Sequence, residues 1–338
     1  MNEMPENAPS AEHALISRLH RILGTFENDH YRTGIGDDAA VRDGDGRDLV
    51  LTTDLSVEGV HFSREYMSME EIGYRSMVSN VSDCAAMGAI PDGALIQLVI
   101  PEQNIDGNEA VEALYRGFRE ACDRWHFPVI GGDLSRGKQW VIGISLIGRV
   151  EEKRTLLRSG MHPGDGIWLT GCPGRSAAGL FCLETLQRKI AEERWPELVA
   201  AHLRPIPRVA VGRYFAATDG IHAAMDLSDG ISKDCRTMCH ESGYGIILSF
   251  DSSQVPDAMI QLSRDSGIPW RKWFLHGGED YELLFAADKH FDPEACRMID
   301  PEVRCIRIGT CTDTVNDVMI TTDDGIEPLP PGAYDHMK

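Results

Sequence analysis

Apolar and polar positions follow two rhythms along this chain, and the switches between them mark its elements. A helical period runs over residues 10–24, where Leu15, Ile16, Leu19, Ile22 and Leu23 share a face behind Ser10 as the cap. It returns over 69–88, with Ile72, Met77, Val78, Val81 and Met87 on the inner face and Gly88 as the stop, and again over about 107–124. Short apolar runs between these read as strands: 48–53 ending at Asp54, 94–100, 128–132 and 140–150. Beyond residue 151, a turn at Gly160, Pro163 and Gly164 leads into the strand GIWLTG. A small-residue helix opening, GCPGRSAAGL, follows, and then a charged helix over 187–208, where Pro205 and Pro207 break the pattern. Further strands are predicted at 221–226, 245–250 and 281–287. Strands alternating with helices make the chain α/β.

The length of 338 residues suits two domains. The pattern divides into a loose tail at 1–10, an α/β half at 11–150 and a second α/β half at 151–338. The N-terminus has neither the basic nor the apolar region of a secretory signal, and no stretch approaches 18 apolar residues. The nine cysteines are odd in number and form no CxxC pair, as expected for a reducing compartment. Together these features predict a cytoplasmic protein that does not span a membrane. Cys235, Cys239 and His240 sit close in sequence, but no second ligand pair matches them, so buried helix cysteines are the better reading than zinc. The net charge of −20 argues against a nucleic-acid partner, which requires a basic face.

What changes the picture is where the acids fall. Five motifs place aspartates beside glycine, serine or threonine: GIGDDAAV (34–41), TTDLSVEGVHF (52–62), NVSDCAAMGA (80–89), GGDLSRG (131–137) and MDLSDG (225–230). Any one Asp-Gly pair is ordinarily a turn. Asp83 is different, because it interrupts an apolar helical stripe, and a buried helical carboxylate needs a partner or an ion. Carboxylates at the ends of several strands can converge, but gathered like charges repel and raise one another's pKa. Hard divalent cations with oxygen ligands resolve that repulsion, and Mg²⁺ typically combines a few carboxylates with water and substrate phosphates.

Two glycine-rich segments are decoys. Gly132 to Lys138 fits the start of a P-loop, but Gln139 replaces the metal-binding hydroxyl and a strand follows instead of a helix. GCPGRSAAG follows a strand yet lacks the dinucleotide-binding spacing, so close helix–strand packing is its expected role. No nucleophilic triad is evident.

In order and over nearly the whole chain, GIGDDAAV, TTDLSVEGVHF, NVSDCAAMGA, GGDLSRG, LLRSGMHPGD, GCPGRSAAGL, HLRPIPR, MDLSDGISKD, HGGEDYELLF and the terminal GAYDH resemble the thiamine-monophosphate kinase family. That family shares a superfamily with aminoimidazole ribonucleotide synthetase and selenophosphate synthetase. The resemblance implies a two-domain PurM-like fold whose N-terminal mixed sheets pair across a homodimer, with ATP in a cleft near the interface. It implies metal ligands at Asp38, Thr52, Thr53, Asp54, Asp83, Asp133, Asp226 and Asp229, with Asp37 as a neighbour. ATP contacts are implied at Tyr115, Gly132, Asp133, Arg158 and Ser228, and thiamine-substrate contacts at His61, Glu279 and Tyr334. Asp38, Asp54, Asp83, Asp133 and Asp226 are the residues expected to carry catalysis.

The implied activity is ATP-dependent phosphorylation of thiamine monophosphate with several Mg²⁺ ions. A phosphate monoester is largely ionised at neutral pH, so the acceptor needs no general base, which suits the missing triad. Direct in-line transfer between phosphates bridged by Mg²⁺ is the expected path. Three rivals remain open: a sister ATP-dependent enzyme of the same superfamily, a metal-dependent phosphatase, and a non-catalytic cation- or nucleotide-binding protein. The tail lacks the reactive cysteine of selenophosphate synthetase, and the chain ends in HMK, not in the reactive cysteine of the hydrogenase-maturation branch.

Overall fold

The structure, a computed structural model, describes residues 31–33, 37–44, 46–103 and 107–332. The helix expected at 10–24 and the candidate substrate residue Tyr334 lie outside these. The first half contains β1 (Tyr31–Thr33), β2 (Ala40–Arg42), β3 (Arg47–Val57), α1 (Met69–Ala86), β4 (Ile90–Pro101), α2 (Gly107–Trp125), β5 (Val129–Gly137) and β6 (Val141–Glu151). Its sheet runs β1-β2-β3-β6-β4-β5 and is mixed, because β4 and β5 pair parallel while the other neighbours are antiparallel.

The second half contains β7 (Gly166–Thr170), α3 (Arg175–Thr185), α4 (Arg188–Arg194), α5 (Pro196–Leu203), α6 (Val209–Ala216), β8 (Ile221–Leu227), α7 (Ile231–Ser242) and β9 (Gly245–Leu248). It continues with α8 (Asp257–Ser266), α9 (Trp270–His276), β10 (Glu282–Ala287), α10 (Pro293–Ile299), β11 (Cys305–Thr312), β12 (Val318–Thr322) and β13 (Gly325–Pro328). Its sheet runs β13-β12-β9-β11-β7-β10-β8, with β9 and β12 parallel. Among the described residues no helix is long and apolar enough to cross a membrane.

Helix α1 ties the halves together. Ser68 caps it: its side chain accepts from the Glu71 N–H at 3.2 Å, while Glu71 Oε2 accepts from the Ser68 N–H at 2.8 Å. Such a cap is worth about 1 kcal/mol. The helix then buries residues all round, among them Ile72, Tyr74, Met77, Val78, Val81 and Cys84. It can do so because it packs against β3 and α2 of its own half and against β8 and α6 of the other. A methyl group at Gly117 would collide with the Glu70 carbonyl, and one at Gly73 with that of Leu114. Those two glycines let α1 and α2 approach backbone to backbone.

Several expected boundaries move. β3 does not stop at Asp54 but continues to Val57. GGDLSRG is not a loop after a short strand; it lies within β5, the strand at the sheet edge. The predicted helix over 187–208 is two short helices, broken at Trp195 and Pro196, because proline suits the first turn of a new helix better than the interior of an old one.

Candidate functional site

Many of the acidic side chains singled out in the sequence line a cavity of about 500 Å³ between the halves. Its walls come from β3 with the following turn, α1, the turn holding Arg158, the β8–α7 corner and the loop before β10. Side chains alternate along β3, so Thr52, Asp54 and Ser56 share the face turned towards α1, whereas Thr53 and Leu55 share the opposite face. On α1, Arg75, Ser79 and Asp83 recur every four residues and form one polar row on that face. On β8, Asp226 is the penultimate residue, at the edge of its sheet.

These three elements and the turn after β1 bring together aspartates far apart in sequence. Oxygen atoms of Asp38, Asp83 and Asp226 all lie within 4.8 Å of one another. The Thr52 hydroxyl donates to Asp83 Oδ2, and the Ser82 hydroxyl donates to Asp226 Oδ2 at 2.8 Å. Arg158 Nε donates to Asp38 Oδ1 at 3.0 Å, and the Arg158 backbone N–H reaches Asp37 Oδ2 at 3.3 Å. Asp38 Oδ2 is buried without a hydrogen-bond partner.

The electrostatics follow from crowding in a dry place. Burial, then the charges of Asp54, Asp226 and Asp38, push the Asp83 carboxyl well above the usual range. Burial and Asp38 do the same to Asp226. Asp54 is raised chiefly by burial, against a hydrogen bond from Ser79, and Asp37 is pushed up to about 6 by burial and by Asp38. The cations in the walls are each paired with one carboxylate, Arg75 with Glu279, Lys233 with Asp229 at 2.8 Å and Arg158 with Asp38, and none of these pairs includes Asp54, Asp83 or Asp226. Buried carboxylates in excess of their counter-charges, one with an unpartnered oxygen, and hydroxyl donors alongside make an oxygen-only donor set that fits a hard divalent cation.

Of the other candidates, Ser228, Asp229, Glu279 and His61 line the same cavity. His61 accepts the Val57 N–H at its Nδ1, 3.1 Å away. Glu279 adopts φ 63°, a left-handed conformation that turns the chain at the rim of the cavity. Thr53 also lines it, but its hydroxyl donates to the Ile144 carbonyl at 3.1 Å, on the open side of the sheet.

Tyr115, Gly132 and Asp133 are not brought to this cavity within the single chain. Asp133 pairs in register with Gln97, Gln97 with Gly143, and Gly143 with Leu55. Three strand spacings therefore separate Asp133 from β3, about 14 Å. Tyr115 instead lines a separate hollow at the end of α2 with Phe118, His126 and Val129.

Sequence reasoning missed Arg75, Ser79, Lys233 and Asp234 as cavity residues. The four-residue recurrence of Arg75, Ser79 and Asp83 within an apolar helix was the available signal. The zinc reading at Cys235 and Cys239 has no support, since both cysteines are buried while His240 is exposed.

Comparisons with known proteins agree with this architecture. A model of the AIR synthase related protein N-terminal domain matches residues 36–150, and one of the C-terminal domain of the same family matches 162–321. The thiamine-monophosphate kinase of Bacillus subtilis is 31% identical over 335 residues, covering 95% of this chain and 98% of its own. That of Salmonella typhimurium is 38% identical over 276 residues, covering 81% of this chain and 82% of its own. A solved structure described as AaThiL complexed with AMPPCP and TMP superposes with a TM-score of 0.80 at 30% identity, over 96% of both chains.

Proposed function

The chain belongs to the thiamine-monophosphate kinase family, and from that premise we propose that it transfers the γ-phosphate of ATP to thiamine monophosphate, giving thiamine diphosphate and ADP. The observation that carries the proposal is the convergence of Asp38, Asp83 and Asp226, with a buried carboxylate oxygen left unpartnered among them. In this reading Asp38, Asp54, Asp83 and Asp226 hold Mg²⁺, with Thr52, Thr53 and Asp229 at its margin. When bound, such ions supply the positive charge that lets two phosphate groups approach.

The chain's own groups do the positioning. Thr52 and Ser82 fix the carboxylates of Asp83 and Asp226 through their hydroxyls. Arg158, anchored by Asp38, stands beside the acids, where its guanidinium brings positive charge to a nucleotide phosphate, and Ser228 lies close by. Glu279, held by Arg75, presents a carboxylate to the cationic thiazolium, with His61 and Tyr334 as further substrate contacts. The acceptor oxygen is already ionised, so the transfer is direct and in line, with no phospho-enzyme.

We place the nucleotide- and metal-binding half at 11–150 and its complement at 151–338, in a cytoplasmic homodimer. The open sheet face and edge support pairing: Leu55 is 57% exposed on β3, and Leu134 is 59% exposed on the edge strand β5, which is open to solvent along nearly its whole length. A second copy would supply the Tyr115, Gly132 and Asp133 that a single chain keeps away from its own acids. Mixing the separately inactive variants Asp133→Ala and Asp83→Asn should then restore activity, whereas a mixture as dead as its components removes the shared site.

The activity is tested by incubating the protein with ATP, Mg²⁺ and thiamine monophosphate and identifying products by mass. ADP and thiamine diphosphate in equal amounts support the proposal. Free phosphate without a new thiamine ester points to hydrolysis, and no turnover with this acceptor ends the reading.

A further inference from the structure

A second convergence of donor atoms lies outside the acidic cavity. The turn before β7 carries His162 and Asp165, and His222 stands near the start of β8. His162 Nδ1 and His222 Nδ1 are 3.1 Å apart, His222 Nδ1 lies 2.8 Å from Asp165 Oδ2, and His162 Nδ1 lies 4.0 Å from the same oxygen. We propose that His162, Asp165 and His222 form a binding site for a borderline transition-metal ion of the Zn²⁺ class, independent of the Mg²⁺ cavity.

Three features of the geometry carry this. First, the spacing is that of a coordination shell. Bonds of about 2.0–2.1 Å to nitrogen and oxygen in a tetrahedron put ligand atoms about 3.3 Å apart, and the three observed edges bracket that value. Second, the ligand atoms are held in place. The Asp165 carboxylate is buried, and its Oδ2 also accepts the His162 backbone N–H at 2.8 Å. The turn is fixed against β8 by the bond from the Ala224 N–H to the Leu157 carbonyl at 2.9 Å. Gly160, at φ 115°, has no room for a side chain, because a methyl there would strike the His222 carbonyl. Third, the site is open on one side: the His162 side chain is 63% exposed, which leaves a position for water.

Two imidazoles and one carboxylate select the occupant. Imidazole suits Zn²⁺, Ni²⁺ or Cu²⁺, whereas Mg²⁺ prefers an all-oxygen shell like that of the acidic cavity. Two facing ring nitrogens need a proton on one of them when no ion is present; a metal ion takes that place, and the imidazole carries its proton on Nε2 instead. The site is also remote from the reaction. His222 and Asp226 are four residues apart on one extended strand, about 13 Å.

The test is equilibrium dialysis of the folded chain against Zn²⁺ in excess Mg²⁺, so that the acidic cavity is already filled. Wild type should hold one more equivalent of Zn²⁺ than His162→Ala, or bind its tightest equivalent at least about 10–100-fold more strongly. His222→Ala should lose the same equivalent, while His240→Ala, outside the cluster, should keep it. Kinase turnover in Mg²⁺ should be unchanged in His162→Ala, which shows that the variant is folded. Superimposable Zn²⁺ isotherms for wild type, His162→Ala and His222→Ala would reduce the cluster to a hydrogen-bonded triad and overturn the proposal.

Discussion

Of the three acids on helix α1, Glu70 has a side chain 44% exposed, while Glu71 in the first turn and Asp83 near the end face the protein, and their surroundings push these two in opposite directions. Glu71 is buried and Asp83 partly buried. Burial works against the Glu71 charge, but Arg188 meets its carboxylate with two bonds of 2.7 Å and Ser68 adds its own, so Glu71 is held below the usual carboxyl range. Asp83 meets three more aspartates and one hydroxyl, and its pKa rises well above that range. A buried acid with its guanidinium is complete and belongs to the fold. A buried acid among acids is incomplete and waits for a ligand. The same contrast recurs at Glu282, which Arg208 satisfies with bonds of 2.6 and 2.7 Å.

Exchanging each acid for its amide should separate the two kinds. Asp83→Asn removes a charge that the empty cavity does not want, so the metal-free protein should melt at the same temperature or higher. Turnover with ATP and Mg²⁺ should fall by about 10³-fold or more, comparable to losing a key electrostatic group in other enzymes. Glu71→Gln should do the reverse. It removes the charge that meets Arg188 in two bonds, leaving that guanidinium only Glu192 and the Tyr66 carbonyl, and weakens the cap, costing about 2 kcal/mol of stability with kcat nearly intact. An Asp83→Asn protein with near-normal turnover at saturating Mg²⁺ would contradict the distinction, and so would a Glu71→Gln protein that melts normally.

The contrast also predicts a stability profile in pH. Asp37 ionises near 3.8 when unfolded but at about 6 when folded, so the native state holds a proton that the unfolded state has lost. Metal-free protein should therefore gain stability as pH falls from 7 to 5. Glu71 acts with the opposite sign. Its folded pKa lies below the ordinary 4.5, so its contribution is present above that value and fades as pH falls through it. Denaturant midpoints without divalent ions should peak near pH 5, and saturating Mg²⁺ should flatten the slope on the neutral side. A metal-free midpoint that falls steadily from pH 7 to 5 would assign the wrong sign to the cavity.

Much of this was readable before any coordinates. The acidic motifs, the helix carrying Asp83 and the alternation of strands and helices are local patterns, set by side-chain periodicity and turn chemistry. What escaped is non-local. Asp54 reads as a strand end because carboxylates are depleted in sheets, yet β3 continues to Val57 because β6 pairs with it along its whole length. GGDLSRG reads as a turn because its glycines usually make one, but β4 holds it extended as a parallel edge strand. The row of Arg75, Ser79 and Asp83 marked a polar face on the helix, but the pairing of Arg75 with Glu279 could not be read, because Glu279 comes from the other half of the chain. Asp133 matches the acidic pattern in sequence and still stands apart from the acids in space, since strand order cannot be read from spacing.

The two threonines of TTD provide the finest division, because sequence treats them alike and β3 does not. Thr52 faces α1 and donates to Asp83, whereas Thr53 faces the open side and donates to the sheet itself. A hydrogen bond to an ionised carboxylate is worth about 1.5–3 kcal/mol, and Thr52 favours the charged form of Asp83 that a cation needs. Thr52→Val should therefore raise the Mg²⁺ concentration for half-maximal activity about tenfold, with kcat at saturating Mg²⁺ much less affected, and Thr52→Ser should recover most of the loss. Thr53→Val should shift the Mg²⁺ requirement less. If Thr53→Val has the larger effect, the open face of β3 contributes more to cation binding than the face turned towards α1, and the strand's two sides must be reassigned.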